Sequence, residues 1–230
     1  MLSAVELSAL FLSLKVSAVG TLLFLPLGIA VAWVLARTRL PGKILLDGLV
    51  HLPLVIPPVA TGYLLLLLFG RRGPVGGWLD ATFGIHLIFN WKGAALVAAI
   101  MGFPLLVRSV RLSLEALDTG LEAAARTLGA SPAKTFLTIT LPLIAPGILT
   151  GTLLAFARAL GEFGATIAFV GNIPGETQTL PLALYAVLQS PGSGEMGIRL
   201  VLLSIALAVV ALALSEITGR LLRRRLQGEP

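Results

Sequence analysis

Leu121-Glu-Ala-Ala-Ala-Arg-Thr-Leu-Gly-Ala-Ser-Pro-Ala-Lys-Thr-Phe-Leu-Thr-Ile-Thr-Leu-Pro142 is a short polar segment set between apolar stretches each long enough to cross a bilayer. Thr119-Gly-Leu-Glu122 predicts a capping box, in which the Thr hydroxyl accepts from the third backbone N–H and the Glu returns to the cap N–H. Ala123, Ala124 and Ala125 propagate helix well, and Gly129 suits the left-handed position just past a helix end. Ser131-Pro132 then reads as N-cap and first residue of the next helix, which enters the membrane at Phe136. A helix this short is marginal in isolation. It needs a partner surface, or the membrane, to hold it.

The flanks fix the class. Of 230 residues, 57% are hydrophobic and only 12% charged, against about 25% charged in soluble domains. Segments at roughly 10–36, 44–69, 93–114, 137–170 and 197–221 each reach the length of about 20 apolar residues that a spanning helix needs. The expectation is an all-α integral membrane protein, one domain of five spans with a loop at 115–136. No basic residue precedes Lys15 and the first apolar run is long, which argues against a cleavable signal peptide.

Loop charge predicts orientation. Arg37, Arg39, Lys43, Arg108, Arg111, Arg126, Lys134, Arg220, Arg223, Arg224 and Arg225 collect on one side, and Arg71, Arg72, Lys92 and Arg199 on the other. The more basic side is expected in the cytoplasm, with the N-terminus outside and the C-terminus inside. Trp78 and Trp91, in the Gly- and Pro-rich loop 70–92, read as interface anchors and Lys15 as a snorkelling side chain. Arg223-Arg-Arg225 reads as a stop-transfer and anionic-lipid anchor. The net charge of +6 thus lies in loops and at the C-terminus, where it orients a membrane protein rather than forming a nucleic-acid-binding stripe. With no cysteine, the chain has no disulfide, thiolate metal site or thiol nucleophile.

The register Ala124-Ala125, Gly129, Ile139, Leu141-Pro142 resembles the EAA loop, through which membrane subunits of ABC importers engage their ATP-hydrolysing partners. The resemblance implies a coupling helix that includes Glu122, Ala123, Ala124, Ala125, Arg126, Gly129 and Ala130. Counted back from Gly129, the family's usual Glu position holds Ala123, and Glu122 lies one residue earlier, about 100° around a helix. Capping is therefore the role expected of Glu122. Further stretches are similar to the molybdate permease family: Leu12-Ser-Leu-Lys-Val-Ser17, Pro41-Gly-Lys43, His51-Leu-Pro-Leu-Val-Ile-Pro-Pro58, Arg158-Ala-Leu-Gly-Glu-Phe-Gly-Ala-Thr166 and Asn172-Ile-Pro-Gly-Glu-Thr177. The Arg158 motif also resembles sulfate permeases, so on its own it indicates only an oxyanion importer.

The resemblance implies the type I ABC importer (MetI-like) core, working as a homodimer in a bacterial inner membrane. Two ATP-binding cassette subunits would sit on its cytoplasmic side, and a periplasmic molybdate-binding protein would deliver the anion. Some relatives carry an additional N-terminal span, for which this chain is expected to have no room. The chain has no Gly-x-x-x-x-Gly-Lys-Ser/Thr loop, so ATP and Mg are expected on the partner subunit; no cofactor or metal is expected here.

Charges inside spans are costly and mark partners or cavities. Arg158 and Glu162, four apart, can pair along a helix face. They read either as a structural pair or as part of the anion pathway or its gate. The pair is preferred, because a tight unpaired Arg would trap the cargo. Asp47 and His51 form a second four-residue pair, followed by Pro53, Pro57 and Pro58, which should bend or break the second span. That region is read as either pathway lining or a packing kink. Pro142, Pro146, Gly147, Gly151, Gly161 and Gly164 punctuate the fourth span; the small residues permit close helix contacts, and the kinks suit a helix that must swing. Sulfate, thiosulfate or tungstate remains the alternative cargo, and a self-contained secondary transporter or channel the alternative class; an intramembrane enzyme lacks the residues.

Overall fold

The computed structural model describes residues 2–190 and 194–227, with side chains described through Gly219 apart from Ser215. The expected Arg223-Arg-Arg225 anchor lies outside the described side chains. The described chain is helical. Helix α1 spans Ala4–Arg37, α2 Lys43–Val55, α3 Pro58–Phe69, α4 Pro74–Phe83 and α5 Trp91–Glu115. Helix α6 spans Thr119–Thr127 and α7 Pro132–Thr135, which leads through a π-helical turn at Phe136–Thr140 into α8, Leu141–Leu160. Helices α9 (Gly164–Val170), α10 (Leu180–Leu188) and α11 (Gly194–Gln227) complete the order.

Helix α1 begins at Ala4 rather than near residue 10, because Ser3 and Glu6 form a capping box. The Ser3 hydroxyl accepts the Glu6 N–H at 3.3 Å and the Glu6 carboxylate accepts the Ser3 N–H at 2.5 Å. Glu6 also pairs with Arg199 at 2.8 Å, which fixes the start of α1 beside the start of α11.

Small residues set the packing of the bundle. Gly20 lies directly against the Ala95 carbonyl, and farther along Gly28 meets Leu106 and Phe103, so α1 and α5 run parallel. Gly151 faces Leu106 and Ser109 while Gly147 faces Ser113, so α8 runs antiparallel to α5. Such contacts replace the hydrophobic driving force that lipid removes. The centre of the bundle is α5, where Ala94, Val97, Met101, Val107, Val110 and Leu114 are all fully buried.

Because α1 and α5 share a direction, the chain between them must return to its starting end. Helices α2 and α3 make that return as a pair bent by 115°. The bend follows from sequence: Ile56 and Pro57 each precede a proline and are driven to extended backbone, and Pro58 restarts helix at its first position. Four further helices or helix runs are long and apolar enough to cross a membrane: Ala4–Arg37, Trp91–Glu115, Pro132–Leu160 and Gly194–Gly219. With the bent pair the described residues hold five candidate crossings.

Two expected spans change. The fourth, expected as one kinked helix over 137–170, ends at Leu160 and restarts at Gly164. The reason is Glu162, whose carboxylate accepts the Ala165 N–H at 2.8 Å and so caps a new helix instead of prolonging the old one. The last span, α11, is longer than the expected 197–221.

Candidate functional site

Helix α6 is the most exposed helix at the end of the bundle where α1 and α5 finish. Leu121, Ala123, Ala124, Arg126 and Leu128 are exposed, Ala125 and Ala130 half-buried. Gly129 has φ +86°, and its N–H bonds the Arg126 carbonyl at 3.0 Å while the Ala130 N–H bonds that of Ala125 at 3.1 Å. This is a Schellman stop, which only a residue tolerant of the left-handed region closes without strain. Ser131 then caps α7, accepting the Lys134 N–H at 3.3 Å, with Pro132 at the first helical position.

The start of α6 corrects the sequence reading. The N-cap is Asp118, which accepts the Gly120 N–H at 2.8 Å; Thr119 is already the first helical residue. Glu122 forms no capping box. It points into the bundle, accepting the Thr140 hydroxyl at 2.7 Å and facing Arg37 at 3.5 Å, and is 9% exposed. Asp118 has the shorter reach and takes the cap, which frees Glu122 for distant partners. Leu121, Ala124 and Leu128 then share the opposite, outward face at a helical spacing of three and four residues. Leu128 is 88% exposed, an apolar surface left largely uncovered by the described residues.

A second cluster lies where the two interrupted spans meet. Helix α3 packs on α9, and a Cβ on Gly62 would stand 2.5 Å from the Ala165 carbonyl oxygen. Gly164 abuts Pro58 and Val59, so the two breaks are neighbours. Beside them the Arg158 guanidinium meets Glu162 at 2.8 Å. Glu162 is 3% exposed while Arg158 keeps 28% of its side chain open. Phe163 stacks at a tilt on Tyr185 of α10, ring centroids 5.0 Å apart.

Asp47 and His51 do not join that cluster. The His51 Nδ1 lies 3.3 Å from the Asp47 carboxylate, and Arg111 bridges Asp47 at 3.1 Å and Glu115 at 2.7 Å. With Arg108 these residues line a recess of about 340 Å³ between α2 and α5. Lys15 is not simply extended along the surface: its ammonium sits 3.7 Å from the centre of the Trp91 ring. Among the described residues no group of three or more His, Asp or Glu is placed to hold a metal ion.

Sequence reasoning missed Arg37, Thr140 and Asp118. Asp118, an Asp directly before a helical run, was legible as a cap. Arg37 stands 85 residues from its carboxylate and carries no local signal of the contact.

Residues 25–227 match the family model described as binding-protein-dependent transport system inner membrane component. The chain is 57% identical to the molybdenum transport system permease protein ModB of Escherichia coli K12, over 96% of both chains. It is 54% identical to that of Haemophilus influenzae, again over 96% of each, and 38% identical to the sulfate permease CysW of Synechocystis over 90% of this chain and 77% of the relative. A methionine ABC transporter in inward-facing conformations superposes with TM-score 0.74, covering 96% of this chain and 99% of that one at 17% identity. An alginate-importing bacterial ABC transporter gives 0.71, over 97% and 80% at 19% identity, which establishes a shared fold. An exposed, doubly capped helix between two crossings and interrupted spans packed on each other thus lie in a chain that belongs to the family of inner membrane components of binding-protein-dependent transport systems, alongside the molybdenum transport permeases.

Proposed function

We propose that this chain is the membrane-spanning permease subunit of an ATP-driven molybdate importer, working as a homodimer. The observation that carries the reading is α6: a helix stopped at both ends, tied inward by Glu122, with Leu121 and Leu128 facing outward. An exposed apolar face of that kind at a fixed position is a docking surface for another protein. The basic loops favour a cytoplasmic position for it, where an ATP-binding cassette subunit meets it and supplies ATP and Mg chemistry. A periplasmic binding protein delivers the anion to the opposite side. High identity to the molybdenum permeases favours molybdate over the sulfate alternative.

The anion path runs past the paired breaks at Ile56-Pro57 and Gly161-Glu162-Phe163, where helix ends and half-exposed Arg158 leave polar groups inside an apolar bundle. Glu162 neutralises most of the Arg158 charge, so an oxyanion meets weak positive potential and is released. Asp47 and His51, on the cytoplasmic half of the bent span, line the recess below that break.

The test is uptake of radiolabelled molybdate into liposomes holding the permease and its ATP-binding subunit, with the binding protein inside the assay and tungstate, sulfate or thiosulfate as competitors. ATP-dependent uptake suppressed by tungstate but not by sulfate is expected. Uptake without ATP or partner subunits would favour a secondary transporter instead.

A further inference from the structure

Among the described residues, helix α6 is joined to the spans by a largely buried polar node whose members come from three separate parts of the chain. Glu122 of α6 accepts the Thr140 hydroxyl at 2.7 Å, and Thr140, fully buried, is the last residue of the π-helical turn leading into α8. The same Glu122 oxygen faces the Arg37 guanidinium at 3.5 Å, in the last turn of α1. Arg37 leans over Trp33 at 6.0 Å, and Trp33 meets Phe136, the first residue of the π-helical turn, edge to face at 5.2 Å. The π-helical turn is therefore gripped at both ends, by Glu122 at Thr140 and by Trp33 at Phe136. Such turns carry one residue more per hydrogen-bonded ring than α-helix and are frequent at functional sites.

We infer that Glu122, Arg37 and Thr140 form a strut that passes displacement of the docked helix α6 to α1 and to the start of α8, making Glu122 and Arg37 positioning residues for coupling rather than contacts of the partner. The inference rests on the importer reading above. Its basis is geometric: the outward face of α6 is free for docking while Glu122 faces away from it, so a push on Leu121 and Leu128 bears on the node. Arg37 Nε is buried with no hydrogen-bond partner among the described residues, and the Arg37–Glu122 separation is long for a charge-assisted bond. The guanidinium can thus close further on the carboxylate when α6 moves inward. A buried carboxylate is an expensive way merely to fasten a surface helix; as a link between three elements it is stiff and directional.

The experiment uses the full complex in liposomes, with radiolabelled molybdate as probe, and reads three quantities: bound ATP-binding subunit, ATP hydrolysed, and anion imported per ATP. Arg37→Met should retain the ATP-binding subunit yet import roughly threefold or more fewer anions per ATP, a size typical of altered coupling. Arg37→Lys, which keeps the charge, should recover most of the ratio. Glu122→Gln and Thr140→Val should lower it in the same direction, and Arg37→Met with Glu122→Gln should be no worse than either alone. An unchanged ratio in Arg37→Met, additive losses in the double variant, or losses that track release of the ATP-binding subunit would overturn the strut. Failure of the unsubstituted complex to bind that subunit or import anion would instead remove the importer reading on which it stands.

Discussion

At the scale of single residues the chain separates backbone demands from charge demands. Gly129 is a backbone demand: φ +86° in a β-branched residue costs at least about 1–2 kcal/mol, which a short exposed helix cannot absorb elsewhere. Gly129→Val is expected to insert into the membrane normally and to bind its ATP-binding partner, or import anion, several-fold less well. Normal uptake by that variant would remove the docking assignment. Arg158 and Glu162 are a charge demand. Breaking a buried pair costs about 3–5 kcal/mol, and the part-exposed Arg158 places this one toward the lower end. Arg158→Met and Glu162→Gln should each lower the thermal stability of the assembled complex, and the double variant should regain much of the loss. If Arg158→Met stays stable and assembled but transports nothing, and the double variant rescues nothing, Arg158 is an anion contact and the pair reading is wrong.

At the scale of elements, what sequence made legible was whatever chemistry completes within a few residues. Gly129, Ser131-Pro132 and the bend at Pro57-Pro58 were readable because stops, caps and proline constraints are local. At Gly161 and Gly164 a kink was readable but a full break was not, since the deciding bond, from Ala165 N–H to Glu162, looks in sequence like an ordinary helical spacing. Helix α10 escaped notice because nine apolar residues are too few to cross a membrane and blend into a loop. Glu122 reads in sequence as a capping residue because its real partners, Arg37 and Thr140, exist only after three elements have packed. The α3–α9 contact yields its own prediction. Gly62→Val forces a side chain into the Ala165 backbone, where overpacking typically costs about 1–3 kcal/mol. Melting of the detergent-solubilised protein should shift down, whereas Gly48→Val, in open space on α2, should leave it nearly unchanged. Equal melting of the two would mean that the paired half-helices are not a fixed unit.

At the scale of the whole molecule, the five candidate crossings, with the bent pair taken as one, would set the two termini on opposite sides of the bilayer, and the loop charges propose which side is which. Because the chain lacks cysteine, single cysteines at Ser3 and Gln227 report without background. An impermeant thiol reagent added to right-side-out cells should label position 3 and spare position 227 until the membrane is opened. Labelling of both from one side would remove the five-crossing topology. The exposed leucines of α6 have one more consequence, for the life of the protein in the cell. A permease made without its partner displays Leu128 and Leu121 to water on a helix too short to hide them. On the importer reading, those leucines would stay uncovered in an orphan subunit, an exposed apolar surface open to quality-control proteases, and docking would conceal them. The abundance of this chain should therefore follow synthesis of its ATP-binding partner, and Leu128→Ser should lengthen the half-life of the orphan while weakening the complex.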